Sequence, residues 1–226
     1  MDRTPGTVVA VQRARNVGRT DRATQKEITE RALLDAAAEV IAERGISGAS
    51  FTFISDRAGT SRTLPSHHFG TKDELVARVI HRAHERFADA MVAAILRTTN
   101  PAALSGLARI RLLADAYLEL FESPAPNERA LVVMWGASFP SGSSLDGMIA
   151  ADQLSFTGWT GHIADGQRDG SIRPEVNPQG AATILHAMLR GVAGVALIPS
   201  AQIDMTTIRR SVDDWIDHAL AQATPN

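Results

Sequence analysis

The side chains best equipped to engage another molecule lie in one short polar run, Ser61-Arg62-Thr63-Leu64-Pro65-Ser66-His67. The Arg62 guanidinium presents a fork of donors that matches guanine O6 and N7, or a phosphate. Thr63, Ser66 and His67 add small polar tips that can reach a base edge or a phosphate oxygen, and Ser61 is placed to cap the segment. Thr52 before the run and Lys72 after it are candidate clamps on a nucleic-acid backbone. Leu64, His68 and Phe69 are expected to hold the segment in place. Elsewhere the chain has no phosphate-cradling glycine loop, no nucleophile elbow and no His-Glu-x-x-His pair. His81 and His84 could offer two imidazoles to a metal, but no third ligand is evident, so neither metal nor cofactor is expected. Asp213-Asp214 reads as solvated charge.

A second concentration, Tyr117, Phe121, Met134, Trp135, Phe139, Phe156, Trp159 and His162, is aromatic and sulfur-rich. At helical spacing such residues form plain core, or they line an apolar pocket with a few polar tips. No Arg or Lys lies between Ala130 and Gln167, so a ligand there is expected to be apolar and uncharged. A third stretch, Gly180 to Val195, is apolar and rich in small residues. With Ile208, Val212, Trp215, Ile216 and Leu220 it suits half of a self-complementary four-helix interface, or an internal helix pair of a monomer.

Those residues need elements to position them, and the chain is long enough to build a substantial core, with 226 residues of which 44% are hydrophobic. It has no cysteine, no run apolar enough to span a bilayer and no secretory leader pattern, which points to a cytoplasmic protein without membrane contact. The net charge of −2 conceals a gradient: the first 26 residues hold six basic against two acidic groups. Residues 1–23 show no apolar periodicity and read as a disordered basic arm, either a phosphate binder or a solubilising tail.

The periodicity after that arm is helical throughout. Thr24-Gln25-Lys26-Glu27 reads as a capping box that opens a helix with Leu33, Ala36, Ala37, Val40 and Ile41 on one face, stopped at Gly45. Ser50 caps a short helix to about Ala58, and Gly59 breaks it. Ser61 caps a third segment ending near Phe69, and Thr71-Lys72-Asp73-Glu74 opens a long helix to about Arg97. Further helices are expected at about 102–122, 128–138, 145–168, 178–197 and 205–222, with proline and glycine between them. No stretch alternates at period two, so the expected class is all-α. Two helices as short as those at 50–69 cannot bury their own faces and must lean on the helices before and after. That arrangement is the helix-turn-helix, whose second helix enters the major groove.

Over residues 25–80 the chain resembles the tetracycline-repressor (TetR) family. The resemblance rests on Leu34-Asp35-Ala36-Ala37, Glu43-Arg44-Gly45, Ile54, Arg57-Ala58-Gly59-Thr60-Ser61-Arg62 and His68-Phe69-Gly70-Thr71-Lys72-Asp73-Glu74-Leu75. It implies a three-helix DNA-binding domain at 24–80 and a helical ligand-binding and dimerisation domain at 81–226. It further implies a homodimer on a palindromic operator in double-stranded DNA, released by a small apolar effector. The alternatives are a regulator governed by protein contact, or an all-helical enzyme. The chain departs from the family where Thr63-Leu64-Pro65-Ser66 replaces a Gly-Thr-Leu-Tyr stretch, so the phosphate-binding tyrosine is Ser66 here. Pro65, four positions after Ser61, is expected to delay or shorten the recognition helix.

Overall fold

The computed structural model describes residues 5–137, 146–198 and 202–222. The described chain is helical: α1 Pro5–Gly48, α2 Phe51–Ala58, α3 Leu64–Phe69, α4 Lys72–Leu96, α5 Gly106–Leu120, α6 Pro126–Ala137, α7 Asp146–Asp169, α8 Pro178–Ala196 and α9 Met205–Leu220, with a 3-10 turn at Pro101–Ala103. No strand forms among the described residues; Ile172 and Ala221 share an isolated bridge. None of the described helices is long and apolar enough to cross a membrane.

The expected boundaries hold at Ser50, Gly59 and Thr71. Ser50 accepts from the Phe53 amide at the start of α2, and Gly59 ends that helix at φ 64°, a left-handed conformation that glycine adopts without strain. Thr71 and Glu74 form a full capping box at the start of α4. Two starts differ from expectation. First, α1 begins at Pro5, not at Thr24, so the stretch expected to be a disordered arm continues the first helix, and residues 1–4 lie outside the described set. Proline suits a helix's first turn, and residues 7–17 contain neither glycine nor proline to interrupt it. Gly45, at φ 69°, breaks this helix where the sequence places its stop. Second, α3 begins after Thr63, not after Ser61, has no side-chain cap and is six residues long. Pro65, which has no N–H to donate, sits in its first turn and is buried.

Two cores result. The first unites α1 and α2 with Phe69 and the N-terminal half of α4, through Leu33, Ala37, Ile41, Ile54, Leu75, Val79 and Ile80. Ala130, Leu131 and Met134 of α6 and Met148 of α7 complete it. The second joins α5, α7, α8 and α9 through Ile110, Leu118, Ile163, Leu185, Leu189 and Ile216. Helix α4 serves both: Val76 and Ala83 belong to the first core, whereas Met91 and Ile95 pack on the second, and Phe87 touches each. A domain boundary at residue 80 therefore falls inside one continuous helix.

Candidate functional site

The helices α1, α2 and α4 are tied together by charge as well as by the first core. Arg57 of α2 grips Glu43 of α1 with both terminal nitrogens, at 3.0 and 2.7 Å, and reaches Glu39 at 2.7 Å. The hydrogen bond from Arg57 holds the Glu43 carboxyl below its usual range, so the pair stays ionised. Arg78 and Arg82 of α4 bond to Glu30 and Asp35 of α1. Lys72, at the start of α4, donates to the Ser47 carbonyl at 3.0 Å and is half-buried, so its ammonium is anchored beside the end of α1. These contacts hold α2 and α4 against α1.

The remaining candidates lie on the outside of α2 and α3 and of the turn between them. Thr52, Ser61, Arg62, Thr63, Ser66 and His67 are all exposed, while Ile54, Pro65 and Phe69 face inward. The Arg62 side chain is 75% exposed and no closer than 4.0 Å to its ion-pair partner, the Asp56 carboxylate. Of the three arginines in this region, Arg44 lies over the Phe53 ring at 4.3 Å and Arg57 is held by two glutamates. Arg62 thus has a weakly engaged guanidinium at the mouth of the turn. The Ser66 hydroxyl donates to the Thr63 carbonyl at 2.9 Å, leaving its lone pairs outward.

A cavity of about 140 Å³ lies between α4, α5, α6, α7 and α8. Helical phase explains its lining. His84, Phe87 and Met91 follow one face of α4; Leu113, Tyr117 and Phe121 follow α5; Ser155, Trp159 and His162 follow α7. Leu131 comes from α6, and His186, Leu189 and Arg190 come from α8. Of the aromatic and methionine candidates, Tyr117, Phe121, Trp159 and His162 line the space. Phe156, one residue past Ser155, is turned about 100° away and packs on the second core. Met134 is fully buried in the first core, facing the head. Trp135 packs on that same core, with its ring 5.4 Å from the Arg190 guanidinium carbon. Phe139 lies outside the described residues.

The expectation that the pocket lacks a cation is corrected by Arg190. It reaches the cavity from α8, where it is the one charged residue between Gly180 and Val195. Arg190 is 8% exposed and donates to Asp152 Oδ1 of α7 at 2.9 Å, an oxygen that also lies 2.9 Å from His186 Nε2. Burial works against the Asp152 charge, but the His186 bond and Arg190 together keep its carboxyl below the ordinary value. A lone arginine in an apolar helix was the available signal for this ion pair. Its partner, in another helix, was not identifiable from local pattern.

Burial favours the neutral forms of three further groups of the cavity, His84, His162 and Tyr117. His84 Nδ1 lies 2.8 Å from the Ile80 carbonyl; a carbonyl only accepts, so Nδ1 carries the hydrogen and Nε2 the lone pair. Burial lowers the pKa of both His84 and His162, favouring the neutral rings. Tyr117 is 6% exposed, stands edge-on to Phe87 and tilted on Phe121, and its hydroxyl has no hydrogen-bond partner. Burial pushes that phenol up to about 12. His81, considered with His84 as a metal pair, instead faces Glu85. Among the described residues no three metal-binding side chains converge.

Residues 33–79 match the family model of bacterial regulatory proteins of the tetR family. The HTH-type transcriptional regulator UidR of Escherichia coli (strain K12) is 25% identical over 170 residues, which cover 75% of this chain and 82% of UidR. The HTH-type transcriptional regulator BetI of Rhizobium meliloti (strain 1021) is 32% identical over 91 residues, 40% of this chain and 45% of BetI. Among solved structures, a Saccharomonospora viridis protein in complex with choline superposes with a TM-score of 0.74. At 20% identity, over 87% of this chain and 100% of that one, the likeness shows a shared fold.

Proposed function

We propose that this chain, which belongs to the tetR family of bacterial regulatory proteins, works as a cytoplasmic homodimer. In this reading it binds a palindromic operator through α2 and α3 and is released by a small ligand held between α4, α5, α7 and α8. The observation that carries the DNA reading is the exposed row Thr52, Ser61, Arg62, Thr63, Ser66 and His67 on a helix-turn-helix whose other faces are buried. Arg62 reads a base edge or grips a phosphate. Lys72 supports the phosphate backbone beside the end of α1. Residues 24–80 act as the reading head and 81–226 as the effector and dimerisation part, with the basic stretch 1–23 adding phosphate contacts.

Dimerisation is supported by the outer face of α8. Ile184, Ala187, Gly191, Val195 and Ile198 recur at spacings of three and four residues and are all exposed on the protomer. An apolar stripe of that kind is what an isologous helix packing buries. Ligand control is supported by the cavity itself, where ionisable groups are paired or held neutral, an arrangement suited to binding without catalysis. An effector shifts the population only if it binds the released form more tightly than the DNA-bound form. The test is selection of DNA fragments from a random pool by the full-length protein. Recovered fragments should share a palindrome with half-sites about one helical turn apart. Recovery of no common sequence would refute the operator reading.

A further inference from the structure

Two features of the cavity limit what it can hold. Its size is the first: about 140 Å³ is close to the volume of an engineered cavity that takes up benzene. Its walls are largely ring and aliphatic carbon, from Phe87, Phe121, Leu113, Leu131, Trp159 and Leu189. Such a site accommodates a single ring with a small substituent.

The polar inventory is the second. The formal charges of Arg190 and Asp152 already cancel each other across a 2.9 Å hydrogen bond. A charged ligand of either sign would bring into the cavity a charge that this neutralised pair does not balance, and burying such a charge is costly. Two buried groups of the lining lack a hydrogen-bond partner, the Tyr117 hydroxyl and the Arg190 Nε–H. A buried hydroxyl without a partner carries a desolvation penalty that a ligand oxygen can remove. His84, also in the lining, offers its Nε2 lone pair as an acceptor for a ligand hydroxyl.

Resting on the effector reading above, we propose that the cavity selects a small uncharged aromatic molecule bearing one hydroxyl, a phenol, whose oxygen pairs with Tyr117. The polar group confers selection because a pure hydrocarbon of equal shape leaves Tyr117 unpaired. The ring confers affinity by filling the apolar walls.

Four size-matched probes separate these contributions: 4-methylphenol, toluene, benzoate and benzylamine. Each is titrated calorimetrically into the full-length protein and into Tyr117→Phe, and release of bound operator DNA is followed in parallel. In the unaltered protein, 4-methylphenol should bind about five-fold more tightly than toluene, the worth of one hydrogen bond. Benzoate and benzylamine should bind more weakly than either. In Tyr117→Phe the preference for 4-methylphenol over toluene should vanish. Equal binding of toluene and 4-methylphenol, a preference that survives Tyr117→Phe, tighter binding of a charged probe, or no binding by any probe would overturn the assignment. The parallel DNA measurement keeps the two readings apart. The expected binding order with DNA retained refutes the effector reading and leaves the ligand class standing. DNA release by a charged probe refutes the ligand class and leaves the effector reading standing.

Discussion

Arg57 and Arg62 are five positions apart and have different work because of what surrounds them. Arg57 is committed to Glu39 and Glu43, so Arg57→Ala should lower the melting temperature by loosening α2 from α1. Arg62 has little to lose within the fold, so Arg62→Ala should leave the melting temperature unchanged. It should weaken operator binding by about 1–3 kcal/mol in a titration at fixed salt. Equal affinity would remove Arg62 from the interface. The histidines of the cavity make a second prediction at this scale. Burial depresses the pKa of His84 and His162 below the ordinary 6.5, so the unfolded chain binds more protons than the folded one as the pH falls through that value. Their contribution is therefore intact above about pH 6.5 and is lost progressively below it. Asp152, whose pKa is depressed from 3.8, adds nothing to this window, since its loss begins only in stronger acid. The melting temperature should fall between pH 7.5 and 5.5, and the fall should be smaller in the His84→Gln/His162→Gln double variant. An equal fall in both proteins would count against the assignment.

At the scale of elements, the contact between α5 and α7 depends on two glycines. A Cβ on Gly106 would lie 2.5 Å from the Gly166 Cα and 2.5 Å from the His162 carbonyl oxygen, and backbone cannot move aside as a flexible side chain can. The Gly106 amide also donates to Asp169 at 2.7 Å, so the start of α5 is pinned to the end of α7. Gly106→Ala should destabilise the protein by about 3 kcal/mol, the upper end for overpacking, measured by urea unfolding. Because α7 carries Ser155, Trp159 and His162, the same variant should also weaken any ligand held in the cavity. A stability within error of the unaltered protein would mean that the two helices are not pressed together there.

At the scale of the molecule, Gly191 offers the contrast. A Cβ at Gly191 meets nothing within 4 Å, so the protomer itself has no packing reason for a glycine in the middle of α8. Gly191 lies on the exposed stripe between Ala187 and Val195, and a second copy of α8 would approach most closely there. Gly191→Glu should keep the protomer folded while placing a charge without a partner in the interface. Sedimentation should then report a monomer, and operator affinity should drop at least tenfold as the two heads bind separately. A dimer that persists with normal affinity would move the interface elsewhere. The molecule's two cores are joined through α4 and α6. Leu131 belongs to the first core and also lines the cavity, so the two share a residue.

The reading head was legible in the sequence because its signals are local. Ser50, Gly59 and the Thr71–Glu74 box each act within four residues, and the buried phase of α1 is set by Leu33, Ala37 and Ile41 on one stripe. Pro65 announced a short α3 for the same reason, because a missing N–H acts at its own position. The helix boundaries of the second half followed from proline and glycine. The composition of the cavity did not, because α6 is buried on two sides and its periodicity cannot say which side Leu131 or Met134 faces. The burial of Arg190 was equally hidden: it is tolerable only because Asp152, thirty-eight positions away on another helix, supplies the opposite charge. The continuity of α1 back to Pro5 was missed because residues 1–23 bear no apolar stripe to signal a helix. Local chemistry thus determined where the chain turns and which side chains α2 and α3 leave exposed. The meeting of distant side chains, which only the folded packing decides, set what lines the cavity.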